Sequence, residues 1–150
     1  MSMKPKDAPD HHDAELVIKL YELRREGLMR EARNAINGDL WPTKAEELLA
    51  FTKSDHPQNA AWRQVTTYWE MVYGMVVHGV LHGDFMLESS GEGMFLFARV
   101  KPFLADVRAA GSPRAFHNTE WVANHSPFAK EVYARYEKGV QARLAARAKR

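Results

Sequence analysis

The fold is decided by one stretch of sequence, residues 62–83, which reads WRQVTTYWEMVYGMVVHGVLHG. Two apolar stripes run along it in steps of three and four residues, which is the spacing of helix faces. The first stripe comprises Trp62, Val65, Trp69, Val72, Val76 and Val80. The second stripe comprises Tyr68, Met71, Met75, His78 and His82. A helix with two opposed apolar faces needs protein against both, so the stretch predicts the long central helix of an all-α core.

Local signals before this stretch predict shorter helices. Asp13 is placed to cap a first helix whose apolar residues lie between Leu16 and Leu23, and Asn37-Gly38 is a typical helix end. Residues 43–46, Thr-Lys-Ala-Glu, match the capping box that opens a helix. The basic residues expected to face water are Arg24, Arg25, Arg30 and Arg33.

Similar signals follow the stretch. Asp84 can cap a short turn, and Pro102 is expected to kink or restart a helix because proline lacks the backbone N–H. Ser112-Pro113 and Ser126-Pro127 each combine a cap with a proline at the first helical position. No segment alternates like a strand. The sequence therefore predicts an all-α irregular bundle of about five to seven helices around the long central apolar helix.

Length and composition are typical of one soluble domain. The chain has 150 residues and no cysteine, which excludes thiolate nucleophiles and cysteine-bound metals. We expect a disordered N-terminal tail over residues 1–12 and a single helical domain over residues 13–150. No apolar run is long enough to span a membrane, and residues 1–7 do not resemble a secretory signal. These observations predict a cytoplasmic protein.

The C-terminal helix is predicted to be basic. Residues 135–150 contain six lysines and arginines and one acid, Glu137. Such a segment can attract nucleic acid or another anionic surface, but cations also commonly complete the end of a helix. We favour the second interpretation, because cations are common at helix C-termini. The tryptophans lie on apolar stripes and not among basic residues, and the tail has no heptad or helix-turn-helix partner. Sequence-specific nucleic-acid binding is therefore not expected.

Two histidines are the candidate metal ligands. His78 and His82 are four residues apart, so on a continuous helix they would lie on one face and could share a metal ion. A third ligand would have to come from elsewhere, and the candidates are Glu70, Asp84, His117, Glu120 and His125. The competing interpretation is that both imidazoles are packing residues with ordinary hydrogen bonds. We favour packing.

The stretch from Val65 to Trp121 resembles a known family. It contains Tyr68-Trp69-Glu70, the His- and Gly-rich apolar segment, an acidic turn, and Phe97 ahead of Lys101-Pro102-Phe103. This arrangement is similar to that of an uncharacterised family of small all-helical bacterial proteins, catalogued as a domain of unknown function. The resemblance implies a helical fold and implies no activity.

Two hypotheses on function remain open. The absence of a complete catalytic set favours a non-enzymatic helical interaction or regulatory protein without a cofactor. The doubly apolar central helix predicts self-association, and a homodimer is the simplest arrangement. A different protein could also be the partner. The alternative is a metal-assisted hydrolase or small-molecule enzyme that uses His78 and His82 with a third ligand from residues 117–125.

Overall fold

The structure, a computed structural model, describes residues 4–150, and within them all regular secondary structure is helical. The α-helices are α1 (His11–Arg25), α2 (Gly27–Asp39), α3 (Ala45–Phe51), α4 (Asn59–Val77), α5 (Gly83–Ser89), α6 (Glu92–Val100), α7 (Leu104–Ala109), α8 (His117–Asn124) and α9 (Pro127–Ala148). A 3-10 helix, Lys101–Phe103, joins α6 to α7. The all-α prediction is confirmed. The predicted number of five to seven helices was too low, because helical segments are interrupted at Glu26 and again around Pro102.

The central helix is shorter than predicted. It ends at Val77, and Gly79 follows with a φ of +75°, a left-handed conformation that favours glycine. The prediction of one helix through Gly83 was therefore wrong, and residues from Gly83 onward form α5 instead. Val80 consequently leaves the apolar stripe, and 51% of its surface is exposed.

Two helices of the same chain cover most of α4. Within residues 4–150, α2 and α4 form the most extensive helix pair, and α8 packs against α4 as extensively as α6 packs against α9. The first apolar stripe is buried from Trp62 to Val76, as predicted. A narrow strip remains exposed, and its residues are Gln64, Thr67, Met71 and His78. The expectation that α4 is covered on all sides was therefore wrong.

Some local signals act as the sequence predicts. The Ser126 hydroxyl accepts a hydrogen bond from the Ala129 N–H at 3.0 Å, and Pro127 is the first residue of α9. Pro102 lies in the 3-10 helix, where the α-helical hydrogen bonding is interrupted and then restarts as α7.

Other signals are displaced by a few residues. Helix α2 continues through Asn37-Gly38 to Asp39, so the predicted stop was wrong. Thr43 does not form a box with Glu46, because its N–H and its hydroxyl both donate to Glu47. Ser112-Pro113 starts no helix, and α8 begins only at His117. His82, not Asp84, caps α5.

Asp13 fixes the N-terminal segment to the core. Asp10 caps α1, and the fully buried Asp13 carboxylate completes the capping box by accepting from the Asp10 N–H at 2.8 Å. It also accepts from the Lys6 ammonium and from the His82 N–H, both at 2.7 Å. Helix α1 thus begins two residues before the predicted domain start. Residues 1–3 of the predicted disordered tail lie outside the described residues.

These contacts make stability depend on Asp13 and on pH. Burial alone would raise the pKa of its carboxyl, but the bonds from Lys6, Asp10 and His82 outweigh burial and lower the pKa from 3.8 to about 2. The stabilisation is therefore present above pH 4 and is lost as the pH falls towards 2. We expect Asp13→Asn to lower the free energy of unfolding by about 2 kcal/mol at pH 7.

Urea unfolding at pH 7 and at pH 2.5 measures this effect. The difference between wild type and Asp13→Asn should be much smaller at pH 2.5. Asp55→Asn changes an exposed aspartate and should alter stability by less than about 0.5 kcal/mol at either pH. An Asp13→Asn deficit that stays constant between the two pH values would contradict the ionic origin of the effect.

Among residues 4–150, no helix is both long and apolar enough to cross a membrane.

Candidate anion-binding surface

The two predicted metal ligands do not share a helix face. His78 follows the last residue of α4 and is exposed, whereas His82 precedes α5. The His82 Nδ1 accepts from the Phe85 N–H at 3.1 Å and so caps α5. No group of three or more His, Cys, Asp or Glu side chains suited to a metal ion occurs within residues 4–150. The helical arrangement that motivated the pair was wrong, and ligation by His78 and His82 stays a prediction for elemental analysis.

The candidate third ligands are engaged in structural contacts. Glu70 accepts hydrogen bonds from the Asn118 and Thr119 N–H groups, both at 2.9 Å, and thereby caps α8 from α4. Glu120 forms an ion pair with Arg108 at 3.1 Å. His117 is exposed at the start of α8.

Asp84 and His125 meet beside α9. The Asp84 Oδ1 accepts from the Ser126 hydroxyl at 2.7 Å and lies 3.3 Å from the His125 Nε2. The His125 Nδ1 lies 2.7 Å from the Val122 carbonyl oxygen. Because Ser126 bonds directly to the carboxylate and not to the imidazole, the three side chains do not form a nucleophile–base relay.

A partly buried polar network links α2 and α6. Arg33 forms a bidentate ion pair with Glu92, with its Nη2 2.7 Å from the Glu92 Oε2 and its Nε 2.9 Å from both carboxylate oxygens. Trp69 donates its indole N–H to the same carboxylate at 3.3 Å. The hydrogen bonds to the Glu92 carboxylate raise the pKa of Arg33, so the Arg33 guanidinium remains charged. Arg33 was predicted to face water, and this partner 59 residues away gives no local signal.

Gly91-Glu92-Gly93 is a packing motif. A Cβ at Gly93 would lie 2.6 Å from the Cε2 and Cζ atoms of Tyr73, and one at Gly91 would lie 2.6 Å from the Cζ of Tyr136. Two tyrosine rings therefore lie against the start of α6. Tyr73 is fully buried, and burial raises the pKa of its hydroxyl.

Arg99 is a buried cation that completes α2. Its exposed fraction is 2%, and its Nη1 donates to the carbonyl oxygens of Ile36 at 2.9 Å and Leu40 at 3.0 Å. Its Nη2 donates to the Asn37 Oδ1 at 2.9 Å. A cation at a helix C-terminus is favoured by the helix dipole. Burial, with a contribution from the charge of Arg143, lowers the pKa of Arg99 to about 9, so it remains charged at pH 7.

Two arginines of α9 approach the same aromatic pair. Trp41 and Phe95 make an edge contact with ring centroids 5.7 Å apart. The Arg143 guanidinium carbon lies 5.2 Å from the centre of Phe95, and that of Arg147 lies 5.6 Å from the centre of Trp41. Arg99 lies 4.2 Å from Phe95. We call these five residues the arginine–aromatic surface.

The arginine–aromatic surface concentrates positive charge. Arg143 and Arg147 are exposed, and neither they nor Arg99 belong to an ion pair within residues 4–150. Contact with the aromatic rings offsets part of the cost of bringing guanidinium groups together. Guanidinium groups held in this way can bind carboxylate or phosphate through paired hydrogen bonds.

A cavity of about 310 Å³ adjoins this surface. Its lining residues are Asn37, Ser90, Gly91, Glu92, Phe95, Tyr136 and Arg143. We call it the Asn37 cavity. A second cavity of about 300 Å³ along α9 shares Phe95, Tyr136 and Arg143 with it and adds Arg135. The arginine–aromatic surface is therefore continuous with a groove.

Sequence reasoning missed this site because three separate parts of the chain contribute to it. Trp41 follows α2, Phe95 and Arg99 lie in α6, and Arg143 and Arg147 lie in α9. The tryptophans were interpreted as core because basic residues are not their neighbours in sequence, yet Trp41 has arginines beside it in space. The available signal was the four-residue spacing of Arg143 and Arg147, which places both on one face of α9.

The molecule is thus a small helical domain with a cationic groove between its α2 end and α9. Comparison with known families places the chain in the family described as Domain of unknown function (DUF4760), which matches residues 9–126. The chain belongs to this family, and the match extends well beyond the segment in which the sequence pattern was seen. Neither curated proteins nor solved structures gave a match. The whole of α9, with Arg143 and Arg147, lies beyond the matched residues.

Proposed function

We propose that this chain is a non-enzymatic helical interaction protein that binds an acidic segment of a partner protein through the arginine–aromatic surface. The observation that carries the proposal is the convergence of Arg99, Arg143 and Arg147 on Trp41 and Phe95. None of these cations forms an ion pair within the described chain. Arg99 is buried and already donates to acceptors of α2, so an incoming carboxylate would meet the oriented donors of the exposed Arg143 and Arg147.

The proposed surface suits recognition because its donors are already ordered. A free arginine side chain loses rotamer entropy when it binds an anion. Arg143 rests against both Phe95 and Trp41, and Arg147 rests against Trp41, so part of that cost is met during folding. Pre-ordered donors strengthen binding without additional contacts.

A protein partner fits this surface better than single-stranded nucleic acid does. Nucleic-acid grooves combine basic side chains with aromatic rings on which bases stack. Here the indole of Trp41 already has guanidinium groups of Arg99, Arg143 and Arg147 within 6 Å, so little of its face is available to a base. The two exposed guanidinium groups, those of Arg143 and Arg147, also form a small footprint for a phosphate backbone.

Binding of a labelled acidic peptide tests the proposal. We expect a fluorescein-labelled 12-residue peptide with six glutamates to bind in an anisotropy titration, and its glutamine counterpart to bind at least tenfold more weakly. The double variant Arg143→Gln/Arg147→Gln should lose about tenfold in affinity, because it removes two charge-assisted contacts while Arg99 remains to support the fold.

A matched control distinguishes binding at the arginine–aromatic surface from a general effect of positive charge on α9. Lys138→Gln/Lys149→Gln removes the same charge from α9 and its C-cap, at exposed positions without a cation–π contact to Trp41 or Phe95 within the described chain. Its affinity for the peptide should change by less than twofold. Equal losses in the two double variants would refute a specific surface. Tighter binding of a 12-nucleotide oligothymidylate than of the peptide, in the same salt, would refute a protein partner.

We further propose that the chain self-associates as a homodimer. The supporting observation is a group of exposed apolar side chains on α1 and at the start of α2. Ile18 is 60% and Leu28 65% exposed, and Tyr21 follows Ile18 on the same face of α1. Exposed apolar patches commonly mark interfaces. Sedimentation equilibrium of the wild type and of Ile18→Lys tests this: a strict monomer at high concentration would overturn it.

A further inference from the structure

The Asn37 cavity is lined by hydrogen-bond donors from three parts of the chain. Asn37 lies near the end of α2, Ser90 lies between α5 and α6, and Tyr136 and Arg143 lie on α9. The Glu92 N–H donates to the Ser90 Oγ at 3.4 Å, so an oxygen lone pair of Ser90 is used and its own O–H is available to donate. Because these donors come from different parts of the chain, they define a specific binding position for a ligand atom and not only a charged patch.

Arg99 determines the orientation of the Asn37 amide. The Asn37 Oδ1 accepts from the Arg99 Nη2 at 2.9 Å, and a guanidinium has no acceptor. The oxygen of the amide must therefore face Arg99, which leaves the Asn37 NH₂ as a donor on the cavity side. The buried Arg99 thus acts on this cavity through Asn37 as a positioning residue.

The charges around the cavity favour a monoanion. Arg143 contributes one positive charge at the wall. Glu92 also lines the cavity, but its carboxylate already accepts from Arg33 and from the Trp69 indole. One cation with three neutral donors matches the single negative charge of a carboxylate. A phosphate dianion would place a second negative charge near the Glu92 carboxylate, which would repel it.

We infer that the Asn37 cavity receives the carboxylate of an aspartate or glutamate side chain of the acidic partner. This inference rests on the proposed function, because the partner is the one that the arginine–aromatic surface binds. The Arg143 guanidinium serves both features: it forms part of the surface and part of the cavity wall. The partner chain would continue from the cavity along the groove that adjoins α9.

Asn37→Asp is the decisive variant. It is nearly isosteric and keeps an oxygen for Arg99, so the fold should persist, but it replaces the NH₂ donor with negative charge. We expect at least tenfold weaker binding of the six-glutamate peptide. Asn124→Asp makes the same change at an exposed position of α8 that does not line the cavity, and it should alter affinity by less than twofold.

A second readout locates the ligand directly. In ¹H–¹⁵N spectra the side-chain NH₂ signals of Asn37 are those missing from Asn37→Asp. We expect these signals to shift when the peptide is added to wild type. Unchanged Asn37 signals, with peptide binding intact, would overturn the cavity assignment.

The outcomes distinguish the two proposals. If Asn37→Asp binds like wild type while Arg143→Gln/Arg147→Gln does not, the cavity inference fails and the proposed function stands. If wild type does not bind the peptide, both fail. If 10 mM glutarate shifts the Asn37 signals as far as the peptide does, the ligand is a free acid and the inference of a partner side chain is overturned. Tighter binding of a phosphoserine peptide than of the glutamate peptide would overturn the preference for a monoanion.

Discussion

Arg99→Met is expected to lower the free energy of unfolding by about 3 kcal/mol. Methionine fills a similar volume but cannot donate to the carbonyls of Ile36 and Leu40 or to the Asn37 side chain. These acceptors lie at the C-terminal end of α2 and at its C-cap, Leu40. The Ile36 carbonyl oxygen also accepts from the Leu40 N–H at 2.9 Å, so Arg99 adds a second hydrogen bond there. Urea unfolding followed by circular dichroism measures the effect.

Arg30→Met provides the matched control for Arg99→Met. Arg30 is an exposed residue of α2, so its replacement should alter stability by no more than about 0.5 kcal/mol. If Arg99→Met cost less than about 1 kcal/mol, the end of α2 would not depend on this guanidinium. The account of how Asn37 is oriented would then also fail.

Gly93→Ala is expected to lower the free energy of unfolding by about 2 kcal/mol through overpacking. The new methyl group would lie 2.6 Å from carbon atoms of the Tyr73 ring. That ring is fully buried and stacks on Trp69 at a centroid distance of 5.6 Å, so it has little room to move. Thermal and urea unfolding of the purified variant measure the loss.

Gly139→Ala tests the opposite case. A Cβ at Gly139, within α9, would meet no atom within 4 Å. Alanine has the higher helix propensity, so this variant should gain about 0.5–1 kcal/mol. A gain from Gly93→Ala, or equal losses from both variants, would show that close approach to Tyr73 does not explain the glycine.

Much of the fold was predictable because its signals are local. The stripe from Trp62 to Val76 carries its own period, and Ser126-Pro127 carries its own cap. The end of α4 was missed because His78 and His82 continue the apolar spacing although Gly79 adopts a left-handed conformation. Periodicity reports which residues could share a face, but it does not report where the backbone leaves the helix.

The candidate site was not predictable by the same reasoning. Arg33 and Arg99 look like solvent-facing cations in sequence, and their burial depends on acceptors 59 to 63 residues away. The contact of Arg147 with Trp41 likewise joins residues that are far apart in the sequence. Such contacts exist only once α2, α6 and α9 are packed together, so no window of sequence contains them.

The Glu70 cap has a consequence for how the domain assembles. Helix α8 has no side-chain cap of its own. The His117 N–H donates to the Arg114 carbonyl oxygen, and the next two N–H groups, of Asn118 and Thr119, donate to the Glu70 carboxylate on α4. Eight residues are too few for a helix to persist alone in water. Formation of α8 and its attachment to α4 are therefore a single event, and amide protons of these two helices should exchange with solvent as one cooperative unit.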